Sequence, residues 1–283
     1  MPFSDDIHQE IESYLGFLID HELDDAYETE PLNRTLSENK QRIQRAPAAA
    51  AQIHVTPGPA AAPANALRPQ SLAHLDLGAA AHEAKQRAHA ARDFDELYAE
   101  LEAFQHMPLR HEGAKSLVRF RGVPAPALMV IGEPPDADED ETGLAFAGKP
   151  GEMLDKALNA AGVAARSLLA PCVPWRPAGG RPLTPEDVAL SAPFLHALIR
   201  LARPKALLLL GAPAVACALN LDQSLSKLRG RVVGYHENGL QIPVVASYPP
   251  RFLLSQPQAK ALFWRDLLEL KVKADLGADL TGM

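Results

Sequence analysis

Residues 132–151 bring together side chains that could do chemistry. Carboxylates at Glu133, Glu139 and Asp140 could orient or deprotonate a water molecule, or stabilise a cation. Phe146 stands among glycines and could stack on a flat ligand in a cavity. The same residue types also fit a solvated acidic loop with Phe146 in the core, so on their own they leave both interpretations open.

The end of this stretch is suited to phosphate. Gly148 and Gly151 enclose the sequence GKPG, which leads into a helical pattern. Backbone N–H groups at a helix N-terminus can bind a phosphate, so we predict a phosphate contact there. The spacing does not match GxGxxG and the turn is far longer, which makes a Rossmann dinucleotide loop a poor fit.

Two further stretches carry basic side chains. Arg176 and Arg181 flank two glycines in WRPAGGR, a composition suited to a phosphate-contacting loop. Lys227, Arg229 and Arg231 lie in SKLRGR, which fits a DNA contact and an ordinary basic turn equally well.

A fourth stretch, residues 247–254, reads SYPPRFLL. Arg251 stands beside apolar residues that include Leu253, and such residues at a loop tip could wedge into a base stack. They could equally pack against the last helix.

The elements that must position these residues alternate between strand and helix. Short apolar runs bounded by turn residues predict buried strands, and these runs cover residues 127–131, 167–173, 206–210, 231–235 and 242–246. Residues 116–121 also alternate and are predicted as a strand. Helical patterns cover residues 77–91, 93–104, 151–161, 184–201, 211–219 and 257–271. This order predicts an α/β fold with a mostly parallel sheet, covered by helices on both faces. Ligands in such folds bind at the carboxyl ends of the strands, where residues 132–151 begin.

The chain divides by composition into four parts. We predict an acidic amphipathic helical segment over residues 1–28, a disordered Ala/Pro-rich linker over 29–75, the α/β domain over 76–273 and a flexible tail over 274–283. The N-terminal helix could pack on its own domain or dock a protein partner. Residues 1–100 hold 8 Lys and Arg against 17 Asp and Glu, whereas residues 101–283 hold 20 against 18. Outside residues 133–141 the C-terminal part is therefore basic, which is compatible with a nucleic-acid surface.

Composition also excludes some classes of protein. No apolar run approaches a membrane span, and the N-terminus is not that of a secretory signal. Cys172 and Cys217 lack metal-ligand spacing and are expected to be reduced core thiols. We therefore expect a cytoplasmic protein.

Several motifs together resemble the uracil-DNA glycosylase superfamily, and in particular its family-4-like bacterial group. They occur in the family's order over about residues 93–271, as GEPPDADEDETGLAFAGKPG, WRPAGGRPLTPED, RPKALLLLG, LRGR and YPPRFLL. The resemblance implies a three-layer αβα sandwich around a parallel sheet. It also implies an enzyme that flips uracil out of DNA and hydrolyses its N-glycosidic bond, leaving an abasic site.

The resemblance also assigns roles to individual residues. Glu133, with Glu139 or Asp140, matches the carboxylates beside the sugar and water, and Phe146 matches the aromatic residue that stacks on the base. Pro135 lies in the same motif and is expected beside the base. The resemblance places Arg229 and Arg231 by the DNA backbone and residues 251–254 in an intercalating loop.

Four positions depart from the family pattern. Pro171 stands where the family commonly has an Asn that reads uracil, and Pro249 where a His holds charge on the leaving base. Asp136 replaces a Gly and Ala145 a Pro. Loss of one donor to a developing anion costs about 10² to 10³ in rate, and loss of a base-edge contact costs about 1–3 kcal/mol of discrimination. Unless other groups substitute for these residues, excision of uracil should be weak or absent.

Many relatives bind an iron–sulfur cluster through four cysteines. The corresponding positions here are about Phe104, Met107, Trp175 and Ser191, so we expect no cofactor and a gap filled by packing.

Two hypotheses of function follow. The first is a DNA glycosylase with weak or altered activity. The second is a catalytically impaired relative that binds DNA or a repair partner without excising uracil.

Overall fold

The computed structural model describes residues 76–221, 225–237 and 239–276. The predicted N-terminal helical segment and linker, and most of the predicted C-terminal tail, lie outside these residues.

The centre of the fold is one six-stranded sheet. Its strands are β1 (Arg121–Gly122), β2 (Leu128–Gly132), β3 (Ser167–Pro171), β4 (Ala206–Leu210), β5 (Val232–Glu237) and β6 (Leu240–Ser247). They are ordered β1-β3-β2-β4-β6-β5, with β3, β2, β4 and β6 parallel and the two edge strands antiparallel. The prediction of a mostly parallel sheet is confirmed, and the wholly apolar β4 is one of its two central strands.

Helices cover both faces of the sheet. They are α1 (Leu77–Ala90), α2 (Phe94–Ala103), α3 (Ala137–Thr142), α4 (Gly148–Ala160), α5 (Pro185–Ala202), α6 (Ala212–Leu219), α7 (Leu225–Leu228), α8 (Pro250–Ser255) and α9 (Lys260–Lys273). Met129 and Ile131 of β2 pack in one apolar core with α1, α2, α5 and α6. The intervening Leu128 and Val130 pack in a second core with α4 and α9. This alternation confirms the expected αβα sandwich.

Helix α5 begins as its sequence predicts. The Thr184 side chain accepts the Asp187 backbone N–H, the Asp187 carboxylate accepts the Thr184 N–H, and Pro185 opens the first turn.

The predicted strand over residues 116–121 is wrong for most of its length. Only Arg121 belongs to a strand, because the preceding backbone donors go to scattered partners rather than to one ladder. The Val118 N–H donates to the Pro174 carbonyl and the Phe120 N–H to the Tyr98 hydroxyl.

Two segments read as loops are helical. Residues 137–142 form α3, because Asp136 and Glu139 make a capping box at its start. Residues 251–254, expected as an intercalating loop, lie in α8, where Pro250 occupies the first turn.

No helix in the described part of the chain is long and apolar enough to cross a membrane.

Candidate active site

The carboxyl ends of β2, β4 and β6 meet at one edge of the sheet. Glu133 follows β2, Gly211 follows β4, and Tyr248 follows β6. The Gly211 N–H donates to the Ser247 carbonyl at 3.0 Å, which ties two of these ends together. Residues 132–151 therefore start where a ligand site is expected.

Glu133 packs against Gly211. A Cβ atom at position 211 would lie 2.9 Å from Glu133 Cγ, and Gly211 has a φ of +96°. Only glycine tolerates both the close approach and this backbone conformation. The end of β4 thus leaves room for the Glu133 side chain.

Three cavities adjoin at Glu133 and Arg251, which line all of them. The Phe146 cavity, of about 350 Å³, is lined also by Glu139, Phe146 and Pro249. The Tyr248 groove, of about 830 Å³, runs along Tyr248 and Phe252. The Arg176 cleft, of about 1300 Å³, runs along the loop after β3. Glu133 and Arg251 thus stand at the junction of a small cavity and two wider openings.

The carboxylate of Glu133 is available to a ligand or water. Among the described residues it has no hydrogen-bond or ion-pair partner, and its side chain is half-buried. Burial raises the pKa of Glu133, and the positive charge of Arg251 partly opposes that rise. A carboxyl group so placed is suited to accept a proton from water.

Phe146 is held in a strained conformation against the end of β2. Its φ is +55°, a left-handed value that is uncommon for a bulky residue. Its ring lies over Gly132, where an added Cβ would come within 2.4 Å of the ring. Its carbonyl lies against Gly151, where an added Cβ would come within 1.7 Å of the carbonyl oxygen. Both glycines therefore make room for Phe146.

The other two predicted catalytic carboxylates are bonded to backbone. Glu139 accepts the N–H of Phe146 at 2.5 Å and that of Asp136 at 2.9 Å. Asp140 is buried and accepts the N–H groups of Lys115 and Ser116 at 2.8 and 3.1 Å. Burial raises the pKa of Glu139, against the effect of these N–H donors. Both carboxylates hold the loop in shape, and Glu139 also lines the Phe146 cavity.

Asp136 has a role that the sequence reading missed. Its carboxylate caps α3 by accepting the Asp138 and Glu139 N–H groups, and it also accepts the Arg251 guanidinium at 2.9 Å. The Asp-x-x-Glu spacing is a capping-box signal and could have identified the first role. The ion pair connects residues far apart in the chain and has no local signal.

The three predicted base-binding prolines are not brought together. Pro249 lines the Phe146 cavity and the Tyr248 groove, whereas Pro135 lines only the Arg176 cleft. Pro171 pairs with Gly132 across β2 and β3, but it lines a separate apolar cavity of about 360 Å³ beside Tyr98. The predicted contact of Pro171 with the base therefore has no support from this geometry.

Arg176 and Arg181 both line the Arg176 cleft. Arg181 is ion-paired to Glu112 and, at 2.6 Å, to the buried Asp187, so it anchors the loop to α5. Arg176 is partly exposed and makes no ion pair with the described part of the chain, which leaves it better placed than Arg181 for a phosphate.

The basic residues at the end of α7 and in the turn after it also differ in their contacts. Arg229 Nη1 donates to the fully buried Asp266 at 3.0 Å, and Asp266 also accepts the Ser247 hydroxyl at 2.6 Å. Arg229 therefore ties the turn to the end of β6. Lys227 and Arg231 are exposed, and their role as DNA contacts stays a prediction.

Gly148 and Gly151 differ in exposure. Gly148 is exposed at the start of α4, where the Asp138 carboxylate lies close by. Gly151 is buried beneath Phe146, so its place in the fold is explained by packing rather than by a phosphate contact.

The role of Leu253 as a wedge residue stays a prediction, and the burial of its side chain in this structure does not support it. Leu253 is fully buried in the core that includes α9, because α8 turns that side inward. Phe252 and Leu254 are the exposed apolar residues of α8. The Phe252 ring stacks on Tyr248 with centroids 4.8 Å apart.

The four positions that correspond to cluster ligands do not fit an iron–sulfur cluster. Phe104, Met107 and Trp175 are buried in one apolar core, and the hydroxyl of the buried Ser191 donates to the Met107 sulfur at 3.4 Å. None supplies the thiolate that such clusters require.

A family model described as the uracil DNA glycosylase superfamily matches residues 120–268, a range that runs from β1 into α9 and contains the whole site. The chain belongs to this superfamily. Among curated proteins, a type-4 uracil-DNA glycosylase of Pyrobaculum aerophilum is 27% identical over 180 residues, covering 62% of this chain and 91% of the relative. The type-4 uracil-DNA glycosylase of Archaeoglobus fulgidus is 27% identical over 148 residues, covering 50% and 74%. That of Thermotoga maritima is 30% identical over 129 residues, covering 45% and 66%.

These similarities confirm the family-4-like resemblance and support a DNA glycosylase with a role in DNA repair. Within the glycosylase fold, five predicted site residues line the Phe146 cavity, namely Glu133, Glu139, Phe146, Pro249 and Arg251.

Proposed function

We propose that this protein removes uracil from DNA by hydrolysing the N-glycosidic bond, leaving an abasic site. The observation that carries the proposal is the Phe146 cavity, where a half-buried carboxylate, an aromatic ring and a guanidinium line one space at the carboxyl end of β2. Base excision requires a surface on which a flat base can stack, a group that orients and deprotonates a water molecule, and a positive charge near the leaving base. The three side chains match these requirements.

Phe146 is the base-stacking residue in this proposal. The ring is fixed against Gly132 and its backbone is held by Glu139, so its orientation is set before DNA binds. A preset ring avoids the cost of ordering a side chain when the flipped base enters.

Glu133 acts on the water. When the bond between sugar C1′ and base N1 breaks, its electron pair leaves with the base and C1′ develops positive charge. The Glu133 carboxylate stabilises that charge, orients a water molecule towards C1′ and accepts its proton. Burial raises the pKa of Glu133, which makes its carboxylate a better proton acceptor than an ordinary glutamate.

The DNA strand would lie along the Arg176 cleft and the Tyr248 groove, which open on either side of Glu133. Arg176, Lys227 and Arg231 would contact phosphates, and the exposed Phe252 and Leu254 would face the bases beside the flipped nucleotide. Such a substrate would bring the protein to the nucleoid of a bacterial cell.

One observation favours a second candidate function. Pro249 lines the Phe146 cavity without a side-chain or backbone donor, so the cavity lacks a family group that holds charge on the leaving base. A protein that binds DNA without excising uracil is therefore the alternative.

The test uses a single-stranded oligonucleotide with one uracil, followed by alkali to break abasic sites. We expect cleavage by the wild-type protein and its loss in Glu133→Ala and Phe146→Ala. The matched control is Glu141→Ala, because Glu141 is an exposed carboxylate of the same loop that lines none of the three cavities. Salt-sensitive DNA binding without cleavage would support the alternative, and neither binding nor cleavage would contradict both.

A further inference from the structure

A uracil glycosylase must stabilise negative charge on the base as it leaves. Pro249 stands where the family places a His for that purpose, and a proline offers neither a charged side chain nor a backbone N–H. If the proposed function is correct, another group at the cavity has to supply the positive charge.

We propose that Arg251 is this group, and that its guanidinium is a catalytic residue which stabilises the uracil anion as the glycosidic bond breaks. The inference rests on the proposed function and adds a residue to it. Arg251 lies two residues after Pro249, on the first turn of α8, and lines the Phe146 cavity together with Phe146 and Glu133.

The position of Arg251 is fixed from both ends. Its backbone belongs to the first turn of α8. Pro249 at the helix cap and Pro250 at the first helical position precede it, and both have a restricted φ. Its Nη2 atom donates to Asp136 at 2.9 Å. Asp136 is itself immobilised because its other oxygen caps α3. A guanidinium held in this way is already oriented when the base enters, which is the condition for effective electrostatic stabilisation.

The bond to Asp136 does not use up the donors of Arg251. A guanidinium has five N–H donors, and among the described residues the hydrogen bonds of this side chain are limited to the one from Nη2 to Asp136. Its side chain is 55% exposed, so the remaining N–H donors are open to a base in the cavity while the ion pair is kept. Asp136, a departure from the family pattern, is thus explained as the residue that holds Arg251.

The positive charge of Arg251 affects the pKa values of two carboxyl groups that line the cavity. Its charge lowers the pKa of both Glu133 and Glu139, although burial raises each of them more. The same field would favour an anion on a base stacked against Phe146.

The proposed step keeps atoms and charges balanced. The C1′–N1 bond breaks and its electron pair goes to the uracil ring, while water adds to C1′ and gives its proton to Glu133. Arg251 keeps its positive charge throughout, because a guanidinium does not lose its proton in proteins. It therefore acts by charge and hydrogen bonding and not as an acid.

The test compares two leaving bases in single-turnover assays with saturating protein. Fluorine withdraws electrons, so 5-fluorouracil leaves as a more stable anion than uracil and needs less help from a positive charge. We expect Arg251→Met to slow uracil release by about 10² to 10³-fold and 5-fluorouracil release by clearly less. Arg251→Lys keeps the charge, so its rate of uracil release should lie between those of Arg251→Met and the wild type. This variant also keeps the test decisive if Arg251→Met fails to fold. Arg92→Met is the matched control, since Arg92 is also ion-paired to one carboxylate but lines none of the three cavities.

The possible results distinguish the role of Arg251 from the proposed function. A uniform loss on both substrates, or no loss, would overturn the inference while leaving the proposed function intact. If the wild-type protein releases neither base, the proposed function fails and the inference falls with it.

Discussion

The Glu139 carboxylate accepts the backbone N–H of Phe146 at 2.5 Å while its second oxygen accepts that of Asp136 at 2.9 Å. This bridge holds Phe146 in its left-handed conformation beside the cavity. Glu133, only six residues earlier, has no such partner in the described ranges and faces the cavity instead. Two carboxylates of one motif therefore have separate roles. Glu139 positions the aromatic ring, and Glu133 is proposed to orient and deprotonate the water molecule.

Glu139→Gln should destabilise the protein and disturb Phe146. The two N–H groups bond different oxygens of Glu139, and glutamine replaces one of these oxygens with an NH₂ donor, so one part-buried N–H group loses its acceptor at a cost of about 1–3 kcal/mol. Urea unfolding should show this loss in the free energy of unfolding, together with slower excision. An unchanged unfolding free energy would contradict the assigned role. Glu141→Gln, on the exposed face of the same helix, is the control.

Glu133→Gln should act on the chemistry and leave the fold intact. Loss of a general base reduces the rate by about 10² to 10⁴-fold, whereas no hydrogen bond of the described fold depends on this carboxylate. Single-turnover excision and urea unfolding measured on the same preparation separate the two effects. Near-wild-type excision by this variant would remove Glu133 from the mechanism.

Excision should fall in acid with a pKa above the ordinary glutamate value. The reaction needs Glu133 as a carboxylate, and burial raises its pKa, so activity is lost as pH falls through that raised value. Arg251 lowers the same pKa, and Arg251→Met should therefore move the acid limb to higher pH. The pH–rate profile is best measured with 5-fluorouracil, which the variant still releases. A limb that moves to lower pH in this variant would be inconsistent with the arrangement.

Gly132→Ala should displace the Phe146 ring. The added methyl would lie 2.4 Å from the ring, which must shift, and base stacking is lost with it. We expect weaker binding of uracil-containing DNA and slower excision, measured by fluorescence anisotropy and single-turnover rates. Gly78→Ala is the comparison, because its methyl would meet only the side chain of Asp76, at 3.2 Å. Equal behaviour of the two variants would argue against the role of Gly132.

Arg229→Met should destabilise the fold rather than weaken DNA binding alone. The substitution leaves the buried Asp266 without its cationic partner, and such a loss costs about 3–5 kcal/mol. Thermal or urea unfolding should report this, whereas Lys227→Met should leave stability nearly unchanged. A stable Arg229→Met protein with weakened DNA affinity would instead restore the phosphate contact expected from the sequence.

The parallel sheet and its helices could be predicted because their signals are local. Uninterrupted apolar runs marked the central strands, and the Thr184 cap with Pro185 marked the start of α5. Helix α3 was missed because its carboxylates suggested a solvated loop. Acidic residues are favourable in a first helical turn, and Asp136 with Glu139 supplies the cap.

The sequence does not predict which site residues face the cavity and which hold the fold, because these roles depend on contacts between distant parts of the chain. Nothing near Arg229 indicates that it is bound to Asp266, and nothing near Arg251 indicates Asp136. The inward side of Leu253 follows from the packing of α8 and not from its neighbours in sequence. Motif order therefore located the site, while the tertiary structure decides which of its residues face the cavity.

The most direct measurement is the mass of a single-stranded oligonucleotide carrying one uracil, after incubation with the wild-type protein and with Glu133→Gln. We expect the wild-type protein to yield a product that has lost uracil and gained the elements of water, with free uracil in solution, and the variant to do so far more slowly. An oligonucleotide of unchanged mass, after incubation with folded wild-type protein that binds it, would contradict the claim that the Phe146 cavity excises uracil.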